Sequence, residues 1–252
     1  MVQVVALGLG IMVLLVLTLV RSDLLASWQD TLPPDAPNHF LINIQSDDVP
    51  RLRAFLAGRT RDEAVFYPMV RGRLVAVDGR PVGPQDYANP RAQRLVEREF
   101  NLSWTDTLQD DNRIIAGRWW RPQDTGKPLV SVEAGIAETL GIELGDTLSY
   151  SIAGQELPAR VISLRTVEWD SFRANFFVLF PPGVLDDYPA QWITAFHLAP
   201  EHKAVLAQLV RQFPSVTVID VDALMTKVRQ IMDRVTLAVE YVFLFTLAAG
   251  LV

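Results

Sequence analysis

FLINIQSDDVPRLRAFLAGRTRDEAVFYPMVRGRLVAV, residues 40–77, carries the pattern that decides the fold. Phe40 to Ile44 is a short apolar run of strand type. Val49 to Leu56 has helical character and is closed by Gly58, and Ala64 to Val77 reads as a strand whose basic residues alternate through VRGRLVAV. Together they make a β-α-β unit, in which Ser46-Asp47-Asp48 is expected to cap the helix.

A second unit lies far along the chain. Trp192 to Leu198 reads as a strand, Glu201 to Phe213 as a helix and Val216 to Val221 as another strand, with Pro214 before the last. Two such halves suit an α+β fold: a split ferredoxin-like layer assembled from both ends of one domain, with the intervening residues inserted as a second lobe. Gly79 to Pro90 is a turn-rich excursion. VSVEAGIAETLG predicts a short helix opened by Ser131 and closed by Gly141. After the Gly145–Asp146 turn, TLSYSI, ELPARVISLRTVEW and NFFVLF read as strands, so residues 95–185 form a mostly β lobe.

The chain of 252 residues is half hydrophobic and has a formal charge of −6, which argues against nucleic acid as a partner. All charged side chains fall between Arg21 and Glu240, a distribution foreign to an ordinary soluble enzyme. The absence of Cys excludes disulfides, a thiol nucleophile, Cys-ligated zinc and a lipoprotein anchor. VQVVALGLGIMVLLVLTLV, Val2 to Val20, can cross about 30 Å of hydrocarbon as a helix. A cleaved signal peptide is the competing reading, but no Lys or Arg precedes this run and no A-x-A site follows it. YVFLFTLAAGLV, Tyr241 to Val252, starts a second span, and the chain is expected to be a fragment of a longer protein.

Between span and domain, the helical signal continues through Leu24, Leu25 and Trp28 until Pro33 and Pro34 stop it. At the other end Leu224, Val228, Ile231, Val235, Ala238 and Val242 fall at steps of four and three, with Asp222 as the expected N-cap. Two helices leaving the membrane side by side would form a stalk; the alternative is that the second stripe packs on its own domain. Neither flank has the basic excess of a cytoplasmic boundary, which places residues 37–221 outside the cytoplasm.

Chemistry is sparse. His39, His197 and His202 lack metal spacing, and no nucleophile elbow or Walker A loop occurs. Gly8-x-Gly10 is too short for a small-xxx-small membrane interface. Trp119 and Trp120 beside Arg118 and Arg121 could contact a sugar or lipid, with lobe packing the preferred reading. Asp170 and Arg173 are expected to form a buried ion pair. No catalytic, cofactor-binding or metal-binding residue is assigned.

The order of helix, stalk, split layer with β insert, stalk and helix resembles the extracytoplasmic part of FtsX-like, or MacB-type, ABC transporter permeases, and the YbbP group in particular. The stretches that carry it are DLLASWQDTLPPDAPNHFLINIQ (23–45), FYPMVRGRLVAVDG (66–79), NLSWTDTLQDDNRIIAGRWW (101–120), VEAGIAETLGIELGDTLSYSIAG (132–154), VEWDSFRANFFVLFPPG (167–183) and VTVIDVDALMTKVRQIMDRVTLAVEYVFLFTLAAG (216–250). The Leu140 to Asp146 element places the superfamily, and the WDSFRANFF and IDVDAL runs point to the narrower group.

The resemblance implies a transmembrane helix over 1–20, a stalk over 21–36, a porter-like subdomain over 37–94 and 186–221, a sabre-like lobe over 95–185, a stalk helix over 222–240 and a truncated membrane helix over 241–252. It also implies a non-catalytic inner-membrane subunit without cofactor, served by a cytoplasmic ABC ATPase. Its other partners would be the lipid bilayer and a periplasmic protein or lipid-like cargo. A sensor domain of a two-span receptor is the rival from another class, and a membrane-tethered hydrolase the third.

Overall fold

The computed structural model describes Met12 and residues 36–60, 63–199, 202 and 204–249. Two compact units result: Pro37–Ile219, and Asp220–Val252 grouped with Met1–Ala36. The first unit is mixed α and β. It contains β1 (His39–Gln45), α1 (Val49–Leu56), β2 (Val65–Val77), β3 (Arg80–Pro81), α2 (Pro90–Glu97), β4 (Phe100–Trp104), β5 (Asn112–Gly117), β6 (Leu129–Glu133), α3 (Ala134–Leu140), β7 (Thr147–Ile152), β8 (Gln155–Val167), β9 (Val178–Phe180), β10 (Gln191–Phe196) and α4 (Ala204–Gln212). β11 (Thr217–Asp220) ends at the boundary, and α5 (Val221–Ala249) belongs to the second unit.

Four strands lie in the order β11-β1-β10-β2, with β10 antiparallel to both β1 and β2. β1-α1-β2 and β10-α4-β11 are therefore interleaved, the split β-α-β arrangement. One face of this layer packs under α1 and α4, burying Leu41, Ile44, Leu52, Leu56, Phe66, Phe196, Leu209 and Phe213. Leu41 and Ile44 are three apart, a spacing that plain alternation would send to opposite faces. A register shift between them, with Asn43 at φ 61°, returns Ile44 to the buried side. Asn tolerates this left-handed conformation, and its Nδ2 donates to Thr217 Oγ1 at 3.0 Å.

Five further strands close into a ring with β2, while β3 pairs with β2 and β5 with β8 outside it. β2 pairs with β4, β4 with β9, β9 with β6, β6 with β8, β8 with β7, and β7 again with β2. This ring is a six-stranded barrel filled by Val70, Leu74, Leu102, Val130, Val132, Leu148, Tyr150, Val161, Val178 and Phe180, together with apolar residues of α2 and α3. Gly72 faces that interior, where an added Cβ would lie 2.6 Å from Leu102 Cδ1. β2 belongs to both layer and barrel, so one continuous sheet runs through the two.

Three capping expectations are corrected. Ser131 sits inside β6, and Glu133 opens α3 instead, its carboxylate accepting from the amides of Gly135 and Ile136 at 2.9 Å each; Gly141 closes the helix at φ 69° as expected. Ser46–Asp48 forms a 3-10 turn running into α1, and Asp48 makes no side-chain cap bond, its carboxylate facing Arg51 at 3.5 Å. Asp220, not Asp222, caps α5, accepting from the Ala223 amide at 2.9 Å.

In α5 the stripe residues Leu224, Val228, Ile231, Val235 and Val242 are all exposed. No helix among the described residues is long and apolar enough to cross a membrane. The span expected over 1–20 and the stalk residues Leu24, Leu25 and Trp28 lie outside the described residues, Met12 apart.

Candidate functional site

The outer face of the barrel carries a buried polar strip. β4 pairs with β9 and β9 with β6 so that Ser103, Leu179 and Ser131 stand in one row, and β6 pairs with β8 to continue it to Ser163. A register shift in β8 beside Ile162 turns Ser163 and Arg165 outward, after Ala159 and Val161 have faced the interior. All three serines and Arg165 are fully buried, because other segments lie over them.

Trp120 and Phe176 pack on Leu179, with Tyr67, Met69, Trp119, Ile162 and Ile193 half-buried at the margins. Gly117 makes this cover possible. At φ 77° it brings the backbone so close to β8 that an added Cβ would lie 2.0 Å from the Ile162 carbonyl oxygen. The next amide, of Arg118, donates to that same oxygen at 3.1 Å. The rings of Trp119 and Trp120 lie with centroids 3.5 Å apart, and their indole N–H groups donate to Asp106 O and Thr105 O. Lobe packing is therefore the structural role of Trp120. Arg118 turns to Asp124 at 2.7 Å, where Lys127 at 3.4 Å and the Arg121 amide at 2.9 Å also converge. The Arg118 guanidinium, the Arg121 amide and Lys127 hold the Asp124 carboxyl well below the ordinary range.

The other half of the cover comes from the WDSFRANFF run. Ser171 Oγ and Asn175 Nδ2 donate to Asp111 Oδ2 at 2.6 and 2.7 Å, and Gln109 Nε2 donates to Ala174 O at 3.0 Å. Asn112 bridges Asp111 at 3.0 Å to Arg165 Nη1 at 2.8 Å, and Arg165 Nη2 donates to Phe176 O. Both direct acceptors of this guanidinium are neutral. Burial pushes the Arg165 pKa down to about 10, against the pull of Glu133 and Asp111, so the group stays charged at neutral pH. Arg173 does not pair with Asp170: it meets Asp110 at 3.5 Å in an exposed pair. Asp170 lies in a surface 3-10 turn with Trp169, beyond which Phe172 adopts φ 54°.

Several buried polar atoms on this face and its cover have no hydrogen-bond partner: the hydroxyls of Ser103, Ser131 and Ser163, Arg165 Nε, and the amide oxygens of Gln109 and Gln191. Gln191 stands opposite Met69 in the ladder, so it shares the face. Of these residues only Ser131 carries a signal in the sequence, and that signal is for a helix cap. Alternation in ISLRTV sends Ser163 and Arg165 to solvent, and no local pattern announces that Trp120 and Phe176 cover them.

Of the three histidines, His39 is fully buried, its Nδ1 2.7 Å from Asn38 Oδ1 and its ring stacked on Phe196. His197 is half-buried and His202 exposed. The described residues include no group of three His, Asp or Glu side chains placed to hold a metal ion.

No family model matches the chain. Over 250 residues it is 40% identical to the uncharacterized ABC transporter permease YbbP of Escherichia coli (strain K12), an alignment covering 99% of this chain and 30% of that protein. A crystallised domain of a Porphyromonas gingivalis protein, titled as a permease, aligns over 73% of this chain and 89% of its own at 8% identity, with a TM-score of 0.38 that is too low to bear on fold or function. Along nearly all of its length, then, this chain is a relative of one segment of an ABC transporter permease, as the quoted stretches from Asp23 to Gly250 imply.

Proposed function

We propose that the chain is the extracytoplasmic part of an ABC transporter permease subunit, flanked by membrane helices, which converts ATP hydrolysis by a separate cytoplasmic ATPase into movement in the periplasm. The observation that carries this reading is the 40% identity to a permease over 99% of the chain. On this reading the split layer is the porter-like part, within 37–94 and 186–221, and the sabre-like lobe, within 95–185, supplies the lid segments and every barrel strand except β2, which the two parts share. Residues 37–221 lie in the periplasm of a cell whose inner membrane holds the flanking helices. The subunit is non-catalytic, and its cargo is an envelope lipid or another hydrophobic molecule.

The exposed stripe of α5 supports a stalk. Leu224, Val228, Ile231 and Val235 follow the four-and-three spacing that a second helix can fill with interlocking side chains. Helix breaking tests it: Val228→Pro removes a backbone donor and costs about 3 kcal/mol or more of helix stability. In the full transporter with its ATPase, spin labels at exposed Arg113 and Arg229 should change separation on ATP binding in the parent and not in Val228→Pro, while ATP hydrolysis persists. Gln230→Ala, on an exposed position, should behave as the parent. A Val228→Pro transporter that keeps the ATP-driven change would overturn the coupling reading.

A further inference from the structure

A folded protein seldom buries hydrogen-bonding groups without partners. Here the hydroxyls of Ser103, Ser131 and Ser163 and the Nε of Arg165 are buried without partners on one outer face of the barrel. The charge of Arg165 has only neutral direct acceptors, Asn112 Oδ1 and Phe176 O. Opening the face would give every one of these groups a partner in water or in a ligand. What holds it shut is mostly side-chain contact: Trp120 and Phe176 packed on Leu179, bonds made by Ser171, Asn175, Gln109, Arg165 and the two indoles, and the exposed Arg173–Asp110 pair, with backbone bonds of Arg118 to Ile162 O and of Glu133 to Phe177 O at the flanks of the two segments. Phe172, in the same segment, holds a left-handed backbone that a bulky residue rarely adopts.

We propose that the segments around Trp120 and Ser171–Phe176 form a lid that opens on the barrel face, where Ser131, Ser163 and Arg165 receive the head of an anionic amphiphile. The anion meets the unpartnered Nε donor and the serine hydroxyls. Tyr67, Met69 and Ile193, half-buried at the margin, offer an apolar surface for the tail. This deepens the transport reading, on which it rests for the cargo class, but its test uses no ATPase.

Because the chain has no native Cys, a single thiol reports opening without background. Ser131→Cys and Ser163→Cys place it under the lid; Val130→Cys and Val178→Cys, equally buried, place it inside the barrel. The full chain in dodecyl maltoside is treated with a maleimide. Local opening makes both serine-derived thiols react about tenfold or more faster than the barrel thiols, which wait for wider unfolding. Dodecyl phosphate at about ten times its dissociation constant covers the opened face and should slow the serine-site reactions about tenfold. Equal rates at all four positions would overturn the lid. Fast labelling that dodecyl phosphate leaves unchanged would overturn the assignment of an anionic amphiphile. Either failure leaves the Val228→Pro result untouched, so the two readings fall separately.

Discussion

Replacing Gly117 by Ala tests whether the close approach of β5 to β8 is a constraint on the fold. Two terms contribute. A left-handed backbone costs an L-residue about 1–2 kcal/mol, and φ at this position is 77°. The added Cβ must also be accommodated 2.0 Å from Ile162 O and 2.7 Å from Leu144 Cδ1, so backbone has to shift. Overpacking of that kind costs about 1–3 kcal/mol more, giving about 2–5 kcal/mol in all. Gly79 supplies the control: its φ is 72°, yet a Cβ there meets nothing within 4 Å. Gly79→Ala should therefore lose only the backbone term, about 1–2 kcal/mol. At about 2–4 °C per kcal/mol for a chain of this size, melting followed by tryptophan fluorescence separates the two variants. Equal shifts for Gly117→Ala and Gly79→Ala would refute the claim that contact with Ile162 matters.

Charge and core burial give two more expected outcomes. Asp124 has a depressed folded pKa, so its stabilisation is present above the unfolded value of about 3.9 and is lost as pH falls through that value toward the folded one. Asp124→Asn should melt below the parent at pH 7, with the gap closing under about pH 4, and a pH-independent gap would contradict the assignment. Leu52→Ala removes a fully buried side chain from the layer core and should cost about 2–5 kcal/mol. Because β2 is shared, amide exchange in β7 should speed up with that in β1; an unchanged β7 would show that layer and barrel unfold independently.

The elements were legible where hydrophobic patterning is local. Val49–Leu56 forms the helix expected there, and the strand expected at Ala64–Val77 differs by one residue. Capping was less legible, because Ser131, Asp48 and Asp222 are good capping types by identity, while Glu133 and Asp220 stand at the turns where the backbone presents its free amides. Barrel closure was hidden in the long-range pairing of β2 with β7, roughly seventy residues apart in sequence. The candidate site was least visible. Ser103, Ser131 and Ser163 come from three strands, and only the registers with Leu179 and across β6–β8 put them in a row.

The shared strand also bears on how movement would pass through the molecule. β2 pairs with β10 through residues 65–69 and with β4 and β7 through residues 70–77. Its side chains enter all three clusters: Phe66 the layer core, Val70 and Leu74 the barrel, Tyr67 and Met69 the covered outer face. At about 3.3 Å per residue it is a continuous extended rod. A displacement of the layer therefore reaches the barrel through backbone hydrogen bonds, with no flexible linker to absorb it. The lid is attached differently. Between flanks anchored by the backbone bonds of Arg118 to Ile162 O and of Glu133 to Phe177 O, its ties are side-chain bonds to Asp111, Arg165 and Gln109, each of which water can replace once the segment lifts. Strain that the ladder of β2 transmits but does not relieve is then released first where side chains, not backbone pairs, hold the structure together.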